Sequence, residues 1–170
     1  MAWTIPANVS AATPILDTTT NAILDDLRVI GASWADYSGT VTLTNITKGN
    51  GTVMAKYLRI GAGSGGLVKV RFLFAAGSTT TYSAGNLGVS LPVTPHADYT
   101  GGTSSNNVAV GTCIAQPAAT RMSATAVITS AGILNFITDG LTASTPVTNT
   151  VPAAFGTTGA LSFTVEYEPA

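Results

Sequence analysis

The side chains that could do chemistry are few and lie far apart in the sequence. His96 is the only histidine and stands beside Pro95 and Asp98. Hydrolysis by an activated hydroxyl needs a nucleophile, a base and an orienting group that converge in space. Ser90 and Asp98 can be nominated as partners of His96, but nothing distinguishes them from ordinary loop residues. We therefore interpret His96 as a turn residue and predict no catalytic residues.

Metal and cofactor sites are not predicted either. Cys113 is the only cysteine and lies in an apolar run, which favours a buried, inert thiol. One histidine and one cysteine do not supply the nitrogen and sulfur ligands of a typical zinc site. The glycine-rich segment 61–66 has the composition of a phosphate loop, but a phosphate loop precedes a helix and this segment precedes an alternating strand pattern. We interpret segment 61–66 as a hairpin turn.

The carboxylates do not suggest a glycosidase, which needs two carboxyl groups about 5–10 Å apart. Three of the eight acids, Asp17, Asp25 and Asp26, belong to a predicted helix. Glu166 and Glu168 occupy outward positions of the last predicted strand, where neighbouring carboxylates are usually solvated. A glycan-degrading enzyme is kept only as a third hypothesis.

The composition is poor in charge. Charged residues make up 9% of the chain, and the formal net charge is -1; a typical soluble domain has about 25% charged residues. Because net charge keeps proteins apart in solution, such a surface is a liability for a free monomer. The alternatives are a thermostable or extracellular domain with a neutral surface and a subunit covered by its neighbours, and we favour the subunit.

The sequence argues against a nucleic-acid partner, against membrane insertion and against a secretory signal. The seven lysines and arginines are scattered and form no basic stripe, so no nucleic-acid partner is predicted. No apolar run approaches the ~20 residues of a membrane span, so no membrane insertion is predicted. The N-terminal residues lack the basic and apolar regions of a secretory signal, which predicts synthesis in a cytoplasm.

The first part of the chain predicts an arm and a helix. Residues 1–14 contain two prolines and no periodicity, as in an extended arm. Residues 18–30 predict a helix that ends at Gly31. Its apolar residues share one face at helical spacing and are Ile23, Leu24, Leu27 and Ile30. Because so short a helix is marginal alone, this stripe is predicted to pack, either on its own domain or on copies around a symmetry axis.

From Trp34 onward the apolar period changes from about 3.6 to about 2 residues, which predicts strands. The clearest alternation spans 67–75, 87–91 and 161–167, and weaker strands are predicted at about 40–46, 52–60, 107–115, 121–129 and 133–138. The Thr- and Pro-rich span 141–157 is predicted to be a long connection. Without interleaved helices, these strands predict a mainly β domain over residues 33–170, an antiparallel β-sandwich of jelly-roll type. Residues 1–32 precede it as an anchoring and oligomerisation element.

Short turn and strand motifs follow one another along nearly the whole chain. They are Trp34-Ala-Asp-Tyr37, Gly49-Asn-Gly-Thr-Val53, Ala55-Lys-Tyr-Leu-Arg-Ile-Gly61, Val68-Lys-Val-Arg-Phe-Leu-Phe-Ala-Ala-Gly77-Ser-Thr-Thr80, Val89-Ser-Leu-Pro-Val93, Val151-Pro-Ala-Ala-Phe-Gly156 and Gly159-Ala-Leu-Ser-Phe-Thr-Val-Glu-Tyr167. This order resembles that of small bacteriophage structural proteins of the minor tail, head-fibre and capsid decoration types. The chain departs from the pattern at Ala160, where the family has Asp, and at Asp26, where it has Asn.

The resemblance implies a fold and a setting, and it carries over no catalytic residue. The expected function is that of a non-enzymatic virion structural protein, an accessory surface subunit attached through its N-terminal region. The expected partners are other virion proteins and further copies of the chain, as a homotrimer, with no cofactor. The expected location is the virion, after synthesis in the host cytoplasm. The alternative is a tail module that binds a host glycan, with Trp34, Tyr82, Tyr99 and Phe155 as candidate residues.

Two of the motifs also have a local physical interpretation. Gly49 and Gly51 permit positive φ in their turn. Trp34 and Tyr37 are predicted to cover one end of the sandwich.

Overall fold

The structure is a computed structural model that describes residues 33–61, 65–100, 108–118, 120–138 and 145–170. The predicted arm and helix, with the stripe Ile23, Leu24, Leu27 and Ile30, lie outside the described residues. The elements in chain order are β1 (Ala35–Asp36), β2 (Leu43–Thr44), β3 (Ile46–Thr47), β4 (Thr52–Ile60), β5 (Leu67–Ala75), β6 (Thr81–Tyr82), β7 (Gly88–Ser90), α1 (Ala97–Thr100), β8 (Val108–Gln116), β9 (Met122–Ile128), β10 (Ile133–Thr138), β11 (Thr145–Pro146) and β12 (Ala160–Tyr167). The prediction of a mainly β fold is confirmed.

Ten of the strands within the described residues form one curled sheet in which every pairing is antiparallel. The order across the sheet is β1-β4-β5-β12-β8-β9-β10-β7-β2, and β11 pairs with β10. β3 and β6 form a separate two-stranded sheet. The longest register joins β4 to β5, from Thr52 opposite Ala75 to Ile60 opposite Leu67. Segment 61–66 therefore connects two antiparallel strands, as predicted, and no helix follows it.

Strict alternation in β5 and β12 builds the centre of the core. The inward residues of these two strands are almost fully buried and are Val68, Val70, Phe72, Phe74, Leu161, Phe163, Val165 and Tyr167. The ring of Phe163 stacks on Phe72 at 4.7 Å and lies 5.5 Å from the ring of Phe136. Phe136 is on β10, which β8 and β9 separate from β12 in the sheet order. The sheet must curl for these rings to meet, and the buried aromatic contact is a reason for it to do so.

Two turns lock together at one end of the β4–β5 pair. The side-chain oxygen of Asn50 accepts a hydrogen bond from the backbone N–H of Thr79 at 3.0 Å. The hydroxyl of Thr80 donates to the carbonyl of Lys48 at 2.6 Å and accepts from the N–H of Gly77 at 2.9 Å. Turn 48–51 and turn 77–80 thus satisfy each other's backbone groups. The Gly-Asn-Gly-Thr and Gly-Ser-Thr-Thr motifs form one structural unit although they are far apart in sequence.

The two glycines of the first turn have different reasons to be glycine. Gly49 has a φ of 56°, and a side chain there would overlap Thr79. Gly51 does not have positive φ. A Cβ at Gly51 would instead lie 2.8 Å from the carbonyl oxygen of Ala75 and 2.9 Å from both the carbonyl oxygen of Lys48 and the hydroxyl oxygen of Thr80. Close approach of the neighbouring strand and of the two turns therefore excludes a side chain at Gly51.

Most predicted strands are confirmed, and one is divided. The spans 52–60, 67–75 and 133–138 match β4, β5 and β10. The strand predicted at 40–46 is divided into β2 and β3 at Asn45, which has a φ of 59°. The amide of Asn45 donates to the carbonyl of Asn86 at 2.8 Å, which holds this unusual conformation in place. The predicted connection 141–157 contains the short strand β11.

Candidate interaction surface

The outer face of the central sheet carries the most unusual surface feature. This face comprises the outward residues of β4, β5, β12 and β8, four neighbouring strands. Met54, Leu73, Ser162 and Ile114 lie directly opposite one another in register across these strands. We call this set the apolar row. Met54 is 48%, Leu73 41% and Ile114 49% exposed. Large apolar side chains are therefore exposed at positions where a strand of a free monomer would be expected to carry polar ones.

The apolar row is not flat. Ser162 is small and stands between Leu73 and Ile114, which leaves a shallow hollow of about 370 Å³ above it. The adjacent row, two residues along each strand, is uncharged and consists of Thr52, Ala75, Ala160 and Gln116. At its margin Arg121 donates from Nε to the side-chain oxygen of Gln116 at 3.0 Å, and a second hollow of about 290 Å³ lies between Arg121 and the apolar row. This half of the outer face thus offers a largely apolar surface with two depressions and one cation at its margin.

The other half of the outer face carries charge, and each cation there has a partner. Lys56 and Arg71 are directly opposite in register, an arrangement that is unfavourable for like charges. The guanidinium of Arg71 lies over the ring of Trp34 at 4.4 Å, a cation–π contact. Lys56 is opposite Asp36, whose pKa is lowered mainly by a hydrogen bond from the backbone N–H of Ser38 and also by the charge of Lys56.

One further row of this half carries a cross-strand ion pair. The Lys69 ammonium and the Glu166 carboxylate are 2.5 Å apart on neighbouring strands. Both side chains are partly exposed, so the pair contributes little to stability by itself. The pair places a positive charge on β5 and a negative charge on β12 at directly opposite positions in the register.

The two aromatics of the opening motif do not act together. Trp34 was predicted to cover one end of the domain, but it lies on the outer face beneath Arg71, so this prediction is wrong. It is wrong because the register puts Arg71 within reach, which sequence spacing does not reveal. Tyr37 is 7% exposed, lies in the core, and contacts Tyr57 edge to face at 5.8 Å. Burial raises the pKa of the Tyr37 hydroxyl.

Of the residues nominated for acid–base chemistry, the structure brings His96 and Asp98 together. The Nδ1 of His96 is 3.3 Å from the carboxylate of Asp98, which lies in the short helix α1. The hydroxyl of Ser90 accepts a hydrogen bond from the backbone N–H of Thr42 at 2.8 Å, which ties it to a different loop. Glu166 is paired with Lys69.

Cys113 is 1% exposed, and burial raises the pKa of its thiol to about 12, as expected of an inert core cysteine. Among the residues that the structure describes, no three of His, Cys, Asp or Glu cluster as a metal site would require.

The four aromatic residues nominated for glycan binding do not form one platform. The rings of Tyr82 and Phe155 pack at 5.3 Å. Burial raises the pKa of the Tyr82 hydroxyl to about 12. The hydroxyl of Tyr99 accepts a hydrogen bond from the backbone N–H of Glu168 at 3.3 Å, and Trp34 lies under Arg71. The structure brings Tyr82 and Phe155 together and places the other two in separate contacts.

The apolar row was missed by sequence reasoning, although a signal for it existed. Leu73 is apolar at an outward position, between Phe72 and Phe74, which both point into the core. Ile114 is a similar exception in β8, and β4 has two exposed apolar residues at outward positions, Met54 and Ile60. No exception is notable by itself, and only the register shows that Met54, Leu73 and Ile114 share one row.

Within the described part of the chain, no helix is long and apolar enough to cross a membrane. Comparisons with protein-family models, with curated proteins and with solved structures return no match for this chain.

Proposed function

We propose that this chain is a non-enzymatic accessory surface subunit of a bacteriophage particle, of the capsid decoration, head-fibre or minor tail type. It works by binding other virion proteins and copies of itself. In this proposal the curled sheet is an antiparallel sandwich of jelly-roll type, displayed on the particle, and residues 1–32 attach it.

The observation that carries the proposal is the apolar row of the outer face. Exposed apolar rows with polar surroundings are typical of protein contact surfaces. The low charge of the whole chain, 9% of residues, supports the same conclusion, because neighbours that cover a surface remove the need for charge on it. The motif order that resembles small phage structural proteins supports the viral setting.

The first experiment tests the setting directly. Particles of the phage that encodes the chain are purified and analysed by quantitative mass spectrometry. We expect the chain among the particle proteins, with hundreds of copies for a capsid decoration protein and at most a few dozen for a tail or vertex protein. Particles that lack the chain would refute the proposal.

A second experiment tests attachment and trimer formation through the predicted helix. The proposed contact residues are Ile23, Leu24, Leu27 and Ile30. Leu27→Asp buries an unpaired charge in that contact and should dissociate the oligomer or stop its incorporation into particles. Arg28→Asp, which introduces the same side chain off the stripe, is the matched control. Sedimentation of both variants and particle binding are the measurements, and a Leu27→Asp variant that assembles normally would contradict this part of the proposal.

A host-glycan module is the second candidate function, and the Tyr82–Phe155 pair favours it. Aromatic rings beside polar loops are a common feature of sugar sites. Phe155→Ala should then abolish binding to host surface glycans on an array without unfolding the chain. If the unsubstituted chain binds no host glycan, this candidate is excluded.

A further inference from the structure

We infer that the outer face binds the same face of a second copy of this chain. The two copies are related by a two-fold axis that lies between the facing sheets, runs parallel to the strands and passes over the boundary between β5 and β12. This inference does not depend on the viral setting. It rests on the register of the four strands and on the size and charge of the side chains that the register aligns.

The symmetry fixes which residues meet. In a two-fold contact both copies use the same patch, so if one residue contacts a second residue of the other copy, that second residue contacts the first in return. With the axis between β5 and β12, each outward residue of β5 faces the residue of β12 in the same row of the second copy. Each outward residue of β4 likewise faces the residue of β8 in the same row.

The apolar row is complementary to itself under this operation. Leu73 faces Ser162 of the second copy, so the larger side chain enters the hollow above the smaller one. Met54 faces Ile114 of the second copy, which places two large apolar side chains together. Each of these contacts occurs twice, because the axis generates its symmetry mate. Three exposed apolar side chains per copy are thereby covered without overlap at the centre.

The charged half of the outer face is complementary to itself as well. Lys69 faces Glu166 of the second copy, and Glu166 faces its Lys69. Together with the pair within each chain, four charges then alternate in sign around the axis. Arg71 faces Thr164, so no like charges meet across the central strands.

The alternative two-fold axis lacks this match. An axis perpendicular to the strands, through the apolar row, would place Met54 against Met54 of the second copy. The row that contains Lys56 and Arg71 would then face the row of Thr52 and Ala75. No ion pair would form between the copies. Charge therefore selects the axis parallel to the strands.

The size of the face indicates how strong the contact is. Four strands span about 14 Å, and seven residues along a strand span about 20 Å. A face of about 14 Å by 20 Å has a smaller area than the ~800 Å² that each partner buries in a stable complex. The contact is therefore expected to be weak and reversible, so cross-linking is done at high protein concentration, where the contact is expected to form without help from residues 1–32.

The test uses two full-length variants, Met54→Cys and Ile114→Cys, and a bis-maleimide whose reach matches the ~10 Å spacing of facing sheets. Mixed in equal amounts, the variants should give a covalent heterodimer, because residue 54 of one copy faces residue 114 of the other. Each variant alone should give at least tenfold less covalent dimer. The unsubstituted chain is the blank, because its only cysteine is 1% exposed.

Every outcome decides the question. No heterodimer in the mixture overturns the inference, and efficient cross-linking of Met54→Cys with itself overturns the choice of axis.

A second measurement is sedimentation of Leu73→Asp, which should weaken association at least tenfold, while Ala154→Asp in an exposed loop should not. Cross-linking repeated in a Leu27→Asp background separates this contact from the one proposed for residues 1–32. Persistence there supports a contact of the sheet face, and loss there shows that the contact needs the N-terminal segment and overturns the inference.

Discussion

Thr80→Val is expected to destabilise the protein far more than its conservative chemistry suggests. Thr80 is 6% exposed, and its hydroxyl serves the carbonyl of Lys48 and the N–H of Gly77. Valine has nearly the same shape but leaves the N–H of Gly77 without its partner, whereas the carbonyl of Lys48 keeps a hydrogen bond from the N–H of Gly51. One polar group left unpaired in a buried place costs about 1–3 kcal/mol. For a chain of this length that corresponds to a fall in Tm of roughly 2–12 °C.

The neighbouring residue supplies a matched control for this prediction. Thr79 also bonds across the two turns, through Asn50, but it is exposed, so water can replace the partners that Thr79→Val removes. That variant should lose less than about 1 kcal/mol. Thr80→Ser keeps the hydroxyl and should recover most of the stability. Thermal and urea unfolding, followed by circular dichroism, are the measurements. If Thr80→Val is no less stable than Thr79→Val, the two turns do not depend on this hydroxyl and the reasoning is refuted.

Three further predictions concern the core and the sheet. Phe163→Ala removes the ring stacked on Phe72 and should cost about 3–5 kcal/mol in urea unfolding; a cost below 1 kcal/mol would contradict a central position. Burial raises the pKa of Tyr37 and Tyr167 in the folded state. Their contribution to stability is therefore complete below about pH 10 and falls above it, because the unfolded chain then releases protons that the folded chain retains. The free energy of unfolding should fall from pH 10 to pH 11 by up to about 1.4 kcal/mol for each tyrosine, and a urea midpoint that stays constant would contradict this. Gly111→Ala should cost about 1–3 kcal/mol because a Cβ there would overlap the backbone of β12; an unchanged melting temperature would show that β8 can move away.

The parts of the fold that the sequence predicts well are those with local causes. In most of β5 and β12 apolar residues alternate with polar or small ones, with Leu73 as an exception, and turn residues flank the strands, so strand bounds can be placed within about one residue. The β4–β5 connection is predictable for the same reason, because glycines separate two alternating segments. The buried, inert state of Cys113 also follows from its apolar sequence neighbours.

The parts that it predicts poorly depend on distant residues. The break at Asn45 is held by a hydrogen bond to Asn86, 41 residues away. The position of Trp34 depends on Arg71, which only the pairing of β4 with β5 brings near. The apolar row needs the register of four strands before Met54, Leu73 and Ile114 can be placed side by side. Local patterns specify which face each residue occupies, whereas the surface that the residues form together is set by long-range pairing.

The edges and the outer face of the sheet together indicate what kind of assembly this chain forms. Unpaired edge strands invite open-ended pairing, and short edge strands reduce that risk. The edge strands β1 and β2 have two residues each. Beyond β1, the hydroxyl of Ser38 accepts a hydrogen bond from the N–H of Ala55 at 2.7 Å, which occupies an edge group of β4. Association through the outer face is then favoured over association through the edges. A two-fold contact through a face joins one further copy per face and leaves no free copy of that face, whereas pairing through open edges can continue without limit.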